Sequence, residues 1–184
     1  YRPMDRDELS AWLRLVLTPR IGPGTARQLL AALASPQAIF EASQTTLLGI
    51  VSPRDAKALS SVPDGLDAQL EQTWAWLQAE VEPSGGARAL LTLADDRYPA
   101  SLFQTADPPL MLFAQGDLGL LSRPAVAVVG SRNPTPQGTD NARHFARDLA
   151  QRGICMCWNF RRKFRHYPQN WRSVVEICGH FLKL

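Results

Sequence analysis

Residues 124–153 read Pro124-Ala-Val-Ala-Val-Val-Gly130-Ser-Arg-Asn-Pro-Thr135-Pro-Gln-Gly138-Thr-Asp-Asn-Ala-Arg-His-Phe145-Ala-Arg-Asp-Leu-Ala-Gln-Arg-Gly153. The run 126–129 is apolar and rich in β-branched residues, the pattern of a strand buried on both faces of a parallel sheet. Gly130, Ser131 and Arg132 then form a loop, and Thr135-Pro136 reads as the N-cap and first residue of a helix. Within that helix Ala142, Phe145, Ala146, Leu149 and Ala150 fall at i, i+3, i+4, i+7 and i+8, one apolar face. Gly153 stands where a left-handed C-terminal cap is wanted. A strand, a glycine-containing loop and a helix in this order open a nucleotide- or phosphate-binding α/β domain.

Upstream, residues 5–82 carry short helical patterns. Asp5 caps a helix whose stripe is Leu9, Trp12, Leu13 and Val16. Thr25 is the expected cap of a second helix turning Ala26, Leu29, Leu30 and Leu33 inward. Ser35-Pro36 and Ser52-Pro53 are two more starts, and Asp55 three residues after Ser52 approximates a capping box. A longer helix from Gly65 to Glu80 presents Leu66, Leu70, Trp74 and Leu77. These five helices predict a small all-helical bundle. Trp74 and Trp76 stand two positions apart, so their rings face different sides and read as packing residues rather than a stacking platform.

The turn Ile21-Gly22-Pro23-Gly24 resembles the hairpin of helix-hairpin-helix modules. There the absence of a side chain lets backbone N–H groups approach a nucleic-acid phosphate. Gly22 and Gly24 are therefore candidate backbone phosphate contacts, although two glycines would equally serve a tight interhelical turn.

Pro83-Ser84-Gly85-Gly86 reads as a linker. Beyond it, residues 89–93 and 110–114 are strand candidates, separated by Asp95-Asp96-Arg97-Tyr98-Pro99 and Asp107-Pro108-Pro109. The Asp95-Asp96 pair has no carboxylate or histidine partner at ligand spacing, so it reads as solvated turn rather than metal site.

No apolar run approaches the roughly 20 residues that span a bilayer. The N-terminus lacks the basic-then-apolar layout of a secretory signal, which makes the cytoplasm the expected location. The net charge of +3 is unevenly spread. Residues 1–154 hold 14 Lys/Arg and 16 Asp/Glu, whereas residues 155–184 hold 6 Lys/Arg, one Glu and all three cysteines. In that tail Arg161, Arg162, Lys163 and Arg165 interleave with Phe160, Phe164 and Tyr167, a composition suited to nucleic-acid stacking. Cys155-x-Cys157 and Cys178-x-His180 offer four zinc-type ligands, but the first spacer is shorter than zinc sites use, and no metal is assigned.

Taken together, these stretches resemble DNA-processing protein A, the bacterial DprA/Smf family, over residues 9–154. The resemblance rests on Gly22-Pro23-Gly24, Leu93 through Tyr98-Pro99, and Asp107-Pro108-Pro109 leading to Leu112-Phe113-Ala114-Gln115-Gly116-Asp117. Above all it rests on Val126-Ala127-Val128-Val129-Gly130-Ser131-Arg132 followed by Thr135-Pro136 and Gly138. It implies an α+β chain in two parts: a sterile-alpha-motif-like, helix-hairpin-helix-like domain over 1–82, a linker at 83–87, and a Rossmann-like α/β domain from 88 to 154.

It further implies single-stranded DNA binding during natural transformation, delivery of that DNA to the recombinase RecA, homodimerisation, no catalytic residues and no cofactor. Gly130, Ser131 and Arg132 match the family's phosphate-contacting loop, and Thr135 stands at the adjoining helix start. After Ile154 the resemblance stops. The abrupt change of composition over 155–184 is what a frameshift or fused foreign segment leaves. The α/β part is accordingly expected to be truncated and impaired, without the family's dimer region. Strand 126–129 would then have only 89–93 and 110–113 for neighbours. A nucleotide-processing enzyme of the lysine-decarboxylase-like phosphoribohydrolase type is the alternative, disfavoured by the lack of its Glu-containing glycine-rich loop. A product without activity is the third reading.

Overall fold

A computed structural model describes residues 4–80, 87–128, 135–158 and 174–178. Six helices open the chain: α1 (Arg6–Leu17), α2 (Pro23–Leu33), α3 (Pro36–Glu41), α4 (Gln44–Leu48), α5 (Pro53–Leu59) and α6 (Leu66–Gln78). Their starts follow local chemistry. Asp5, Ser35 and Ser52 each accept an amide three residues on, at 2.8, 3.2 and 3.2 Å. Ser52 also donates to Asp55 Oδ2 at 2.6 Å, so each residue of that box engages the other. Ser43 caps α4 in the same manner, adding a helix to the five expected. The start of α2 departs from expectation. Gly22, not Thr25, is the N-cap, because Pro23 at the first position already has the φ a helix needs.

The helices enclose Leu9, Trp12, Leu13, Leu15, Ala26, Leu29, Ile39, Leu47, Ala56, Leu59 and Leu66. In α6 the buried positions are Leu66, Gln69 and Thr73, and the side chains of Gln69 and Thr73 hydrogen-bond to each other at 3.1 Å. A polar pair one turn apart is thereby satisfied internally, which lets it sit in a core.

Next come β1 (Ala87–Thr92), a short helix α7 (Ala100–Phe103) and β2 (Met111–Gly116). β1 and β2 pair antiparallel, with Leu90 opposite Phe113 and Leu91 opposite Leu112. Alternation along the strands sends Leu90, Met111 and Phe113 into the same core as the helices. Ala89, Leu91, Leu112 and Ala114 face the other way, onto Tyr98, Leu102, Leu118 and Leu121. The helical region and the hairpin thus share one core. Trp76 of α6 meets the Phe113 ring edge-on at 5.3 Å, and the Arg88 guanidinium lies over Trp76 while donating to the Trp76 carbonyl at 3.0 Å. Both tryptophans are half-buried packing residues. β5 (Val174–Cys178) pairs parallel with the other edge of β2, giving sheet order β1-β2-β5.

A second sheet is built from β3 (Ala125–Val128) and β4 (Cys155–Trp158), parallel and joined through α8 (Pro136–Gln151). This is a βαβ unit, the connection that parallel strands require. Gly153 has φ +74°, and the Ile154 amide reaches back to the Leu149 carbonyl at 3.1 Å, closing α8 as the sequence anticipates.

Two expectations are corrected. The neighbour of β3 is β4, not β1 or β2, because a strand does form directly after Ile154. The strand expected to be buried on both faces leaves Val126 42% exposed, and on the apolar face of α8 Phe145 is 69% exposed, with Ala142 and Leu149 only half-buried. The architecture is α+β, with helices packed on a small sheet and a separate βαβ unit. Among the described residues no helix is long and apolar enough to cross a membrane.

Candidate nucleic-acid interface

Gly130, Ser131 and Arg132 lie outside the described residues, as do the proposed linker Pro83–Gly86 and the basic-aromatic run of the tail. The framework that brackets the loop is described. β3 ends at Val128 and α8 begins at Pro136, with exposed Thr135 between loop and helix. Thr135 Oγ1 accepts the Gly138 amide at 3.1 Å, the capping bond of α8. Its hydroxyl oxygen therefore serves the helix before it serves any ligand. The first turn of α8 carries no acidic side chain. Nothing there opposes the partial positive charge that a helix presents at its N-terminus. Further along, Arg143 and Arg152 are paired with Asp140 and Asp148 at 3.4 and 3.0 Å, both pairs largely in solvent.

The second candidate, the start of α2, has a different origin. Gly22 is extended (φ −78°, ψ 169°) and supplies no side-chain cap, and the first turn is free of acidic residues. The residue in the turn that adopts a left-handed conformation is Arg20, at φ +72°. A Cβ placed at Gly22 would meet nothing within 4 Å. At Gly24 it would stand 3.9 Å from Arg27 Nη2, an ordinary contact. Neither glycine is required by the turn, so the interhelical-turn explanation of the pair loses its basis. What the two glycines do provide is an uncovered backbone at an exposed helix start.

Asp95 is held by its own neighbour. Arg97 donates from Nε and Nη2 to the two carboxylate oxygens at 2.9 and 2.6 Å, and the Arg97 amide adds a third bond at 2.9 Å. The Arg97 hydrogen bonds draw the Asp95 carboxyl below its ordinary range, against a smaller upward push from burial. A carboxylate so occupied is a turn element, but an ion-paired and largely covered one rather than the solvated one the sequence suggests. Tyr98 is buried, and its hydroxyl donates to the Pro109 carbonyl at 2.7 Å. Burial raises its pKa.

Sequence reasoning passed over Arg27, which donates through Nη1 to Asp107 Oδ1 at 2.6 Å and to the Pro108 carbonyl at 3.1 Å. Eighty positions separate Arg27 from Asp107. No local pattern links residues so far apart.

Residues 89–157 match the family model of DNA recombination-mediator protein A. Over that segment the chain is similar to the DNA recombination-mediator protein A family. The match runs from β1 through α8 and continues to Cys157, three residues past the break that composition alone suggests at 154. Two relatives agree. The DNA processing protein DprA of Bacillus subtilis (strain 168) is 36% identical over 64 residues, 34% of this chain and 22% of that protein. The DNA processing protein DprA of Streptococcus pneumoniae (strain ATCC BAA-255 / R6) is 49% identical over 47 residues, 26% of this chain and 17% of that protein. The matched part of the chain thus spans about a fifth of the length of these curated relatives. The recombination-mediator segment contains Gly130, Ser131, Arg132 and Thr135, whereas Gly22 and Gly24 lie before it.

Proposed function

We propose that this chain binds single-stranded DNA through its phosphates and serves DNA processing in recombination, handing the strand to a RecA-type recombinase. The observation that carries the reading is that the recombination-mediator match spans the whole β3–loop–α8 unit, the one in which a phosphate-binding loop is expected. In this reading Gly130 permits close backbone approach, Ser131 donates its hydroxyl and Arg132 forks onto a phosphate. Thr135 holds the helix start in place behind them. The start of α2 contributes backbone contacts at Gly22 and Gly24, supported by the fold's indifference to a side chain at either position. No covalent chemistry is assigned to the chain. The cytoplasm is the compartment where such binding takes place.

The test is a salt-resolved titration of the full chain with a fluorescent single-stranded oligonucleotide. Each phosphate contact contributes about −0.7 to the slope of log K against log salt. Arg132→Ala is expected to weaken binding several-fold and to make the slope shallower by about that amount. Gly24→Ala should weaken binding without lowering thermal stability, since alanine favours the helix more than glycine does. Alanine substitution of Arg161, Arg162, Lys163 and Arg165 separates any affinity residing in the tail. Binding that is unaffected by Arg132→Ala, or lost only with the tail arginines, would remove the loop from the proposal.

A further inference from the structure

Asp107-Pro108-Pro109 carries part of the family resemblance, yet the phosphate-binding reading gives it no task. Its surroundings do. Two consecutive prolines fix φ at both positions and carry no N–H, so the segment offers its neighbours carbonyl oxygens held in set directions. Both carbonyls are used, by two different neighbours. Pro108 O accepts from Arg27 of α2, and Pro109 O accepts from the hydroxyl of Tyr98. Asp107 adds its carboxylate to the same Arg27 nitrogen. The following residue, Leu110, is buried in the core shared with the helices, whereas Tyr98 belongs to the cluster on the far face of the hairpin. The Leu110 carbonyl then accepts the Leu93 amide at 3.3 Å as the chain enters β2. Three residues thus sit where the helical region, the hairpin and its outer cluster meet.

We propose that Asp107-Pro108-Pro109 is a latch that fixes the helical region onto the β1–β2 hairpin, with Arg27 as the bolt. The apolar contacts of Leu90, Met111 and Phe113 hold the two parts together, and the Arg88 bond to the Trp76 carbonyl ties β1 to α6. Arg27 adds direction, because one guanidinium nitrogen engages a carboxylate and a carbonyl at once. Arg27 lies one turn into α2, and its Nη2 reaches back beside Gly24. The latch therefore sets the angle between the exposed start of α2 and β2. With the latch in place the α2 start and the sheet move as one body.

Hydrogen exchange followed by mass spectrometry on the full chain tests this. Arg27→Ala is expected to speed exchange several-fold in peptides from α2 and, by a similar factor, in peptides covering 87–92 and 111–116. Tyr98→Phe, which leaves the helical side of the latch intact, should speed exchange in the hairpin alone. Asp107→Ala should resemble Arg27→Ala, and the double variant should fall short of the product of the singles by about threefold, as coupled residues do. Arg27→Lys and Asp107→Asn are milder changes that give the same reading if the alanine variants unfold. Acceleration confined to α2, or effects of Arg27 and Asp107 that simply multiply, would overturn the latch.

Discussion

The segment around residues 87–158 contains two α/β pieces of similar size, and they are buried to very different degrees. The β1–β2 hairpin is covered on both faces, by the helical core on one side and by Tyr98, Leu102, Leu118 and Leu121 on the other. The β3–α8–β4 unit has Val126 42% exposed on its strand and Phe145 69% exposed on its helix, and none of the described side chains of α8 is buried. Burial stabilises by roughly 25 cal/mol per Å² of apolar surface, so the two pieces are held with unequal strength. The candidate phosphate loop belongs to the weaker one. Ligand-binding segments are drawn from the low-stability end of a fold, where ordering a loop around a ligand disturbs little else.

The sharpest way to break this contrast is to remove the same side chain from each piece. Leu112 is fully buried between cover on one face and strand neighbours on either side. Leu112→Ala is expected to cost about 2–5 kcal/mol, the range for a buried leucine that leaves a cavity. Leu149→Ala, on half-buried α8, should cost well under half as much. Thermal and urea unfolding followed by circular dichroism measure both. Equal losses would mean that α8 is as well anchored as the hairpin.

The outcome bears on what the sequence discloses. The helix starts at Asp5, Ser35 and Ser52 were legible because cap signals act within three residues, whereas the equally capped start at Ser43 was passed over. Strand β3, α8 and the Gly153 cap were legible for the same reason. The cover on α8 was not. A 3.6-residue apolar stripe tells which face of a helix seeks burial, but whether a partner reaches it depends on the rest of the chain. Likewise the neighbour of β3 was missed because the change of composition after Ile154 reads as the end of the resemblance, while pairing uses backbone groups that any residue supplies. At the candidate site the loop residues could be named from a motif, and the Arg27–Asp107 contact could not.

A medium effect is expected at the junction of loop and helix. Thr135→Ala removes the cap on the Gly138 amide and should destabilise α8 by about 1 kcal/mol. Because α8 is weakly tied to the hairpin, the loss should appear as faster hydrogen exchange in the first turns of α8, with β1 and β2 unchanged. Thr135→Ser keeps the capping oxygen and should restore most of the protection. A drop in protection across β1 and β2 would show that the two pieces unfold together and end the contrast.

The smallest effect is expected at Phe145, and it is the most informative for the exposed half. On the sequence alone this phenylalanine is the centre of an apolar stripe, and deleting a core phenylalanine costs about 3–5 kcal/mol. In the structure its ring is mostly in water, and serine and phenylalanine have similar helix propensities, so Phe145→Ser should change stability by less than about 0.5 kcal/mol. The two values lie far enough apart for a single urea titration to choose between them. A small change keeps α8 as a helix with an open apolar face, anchored through β4 and its caps. A loss of several kcal/mol would mean that the ring is covered in solution, and the exposed half would then have to be counted with the buried one.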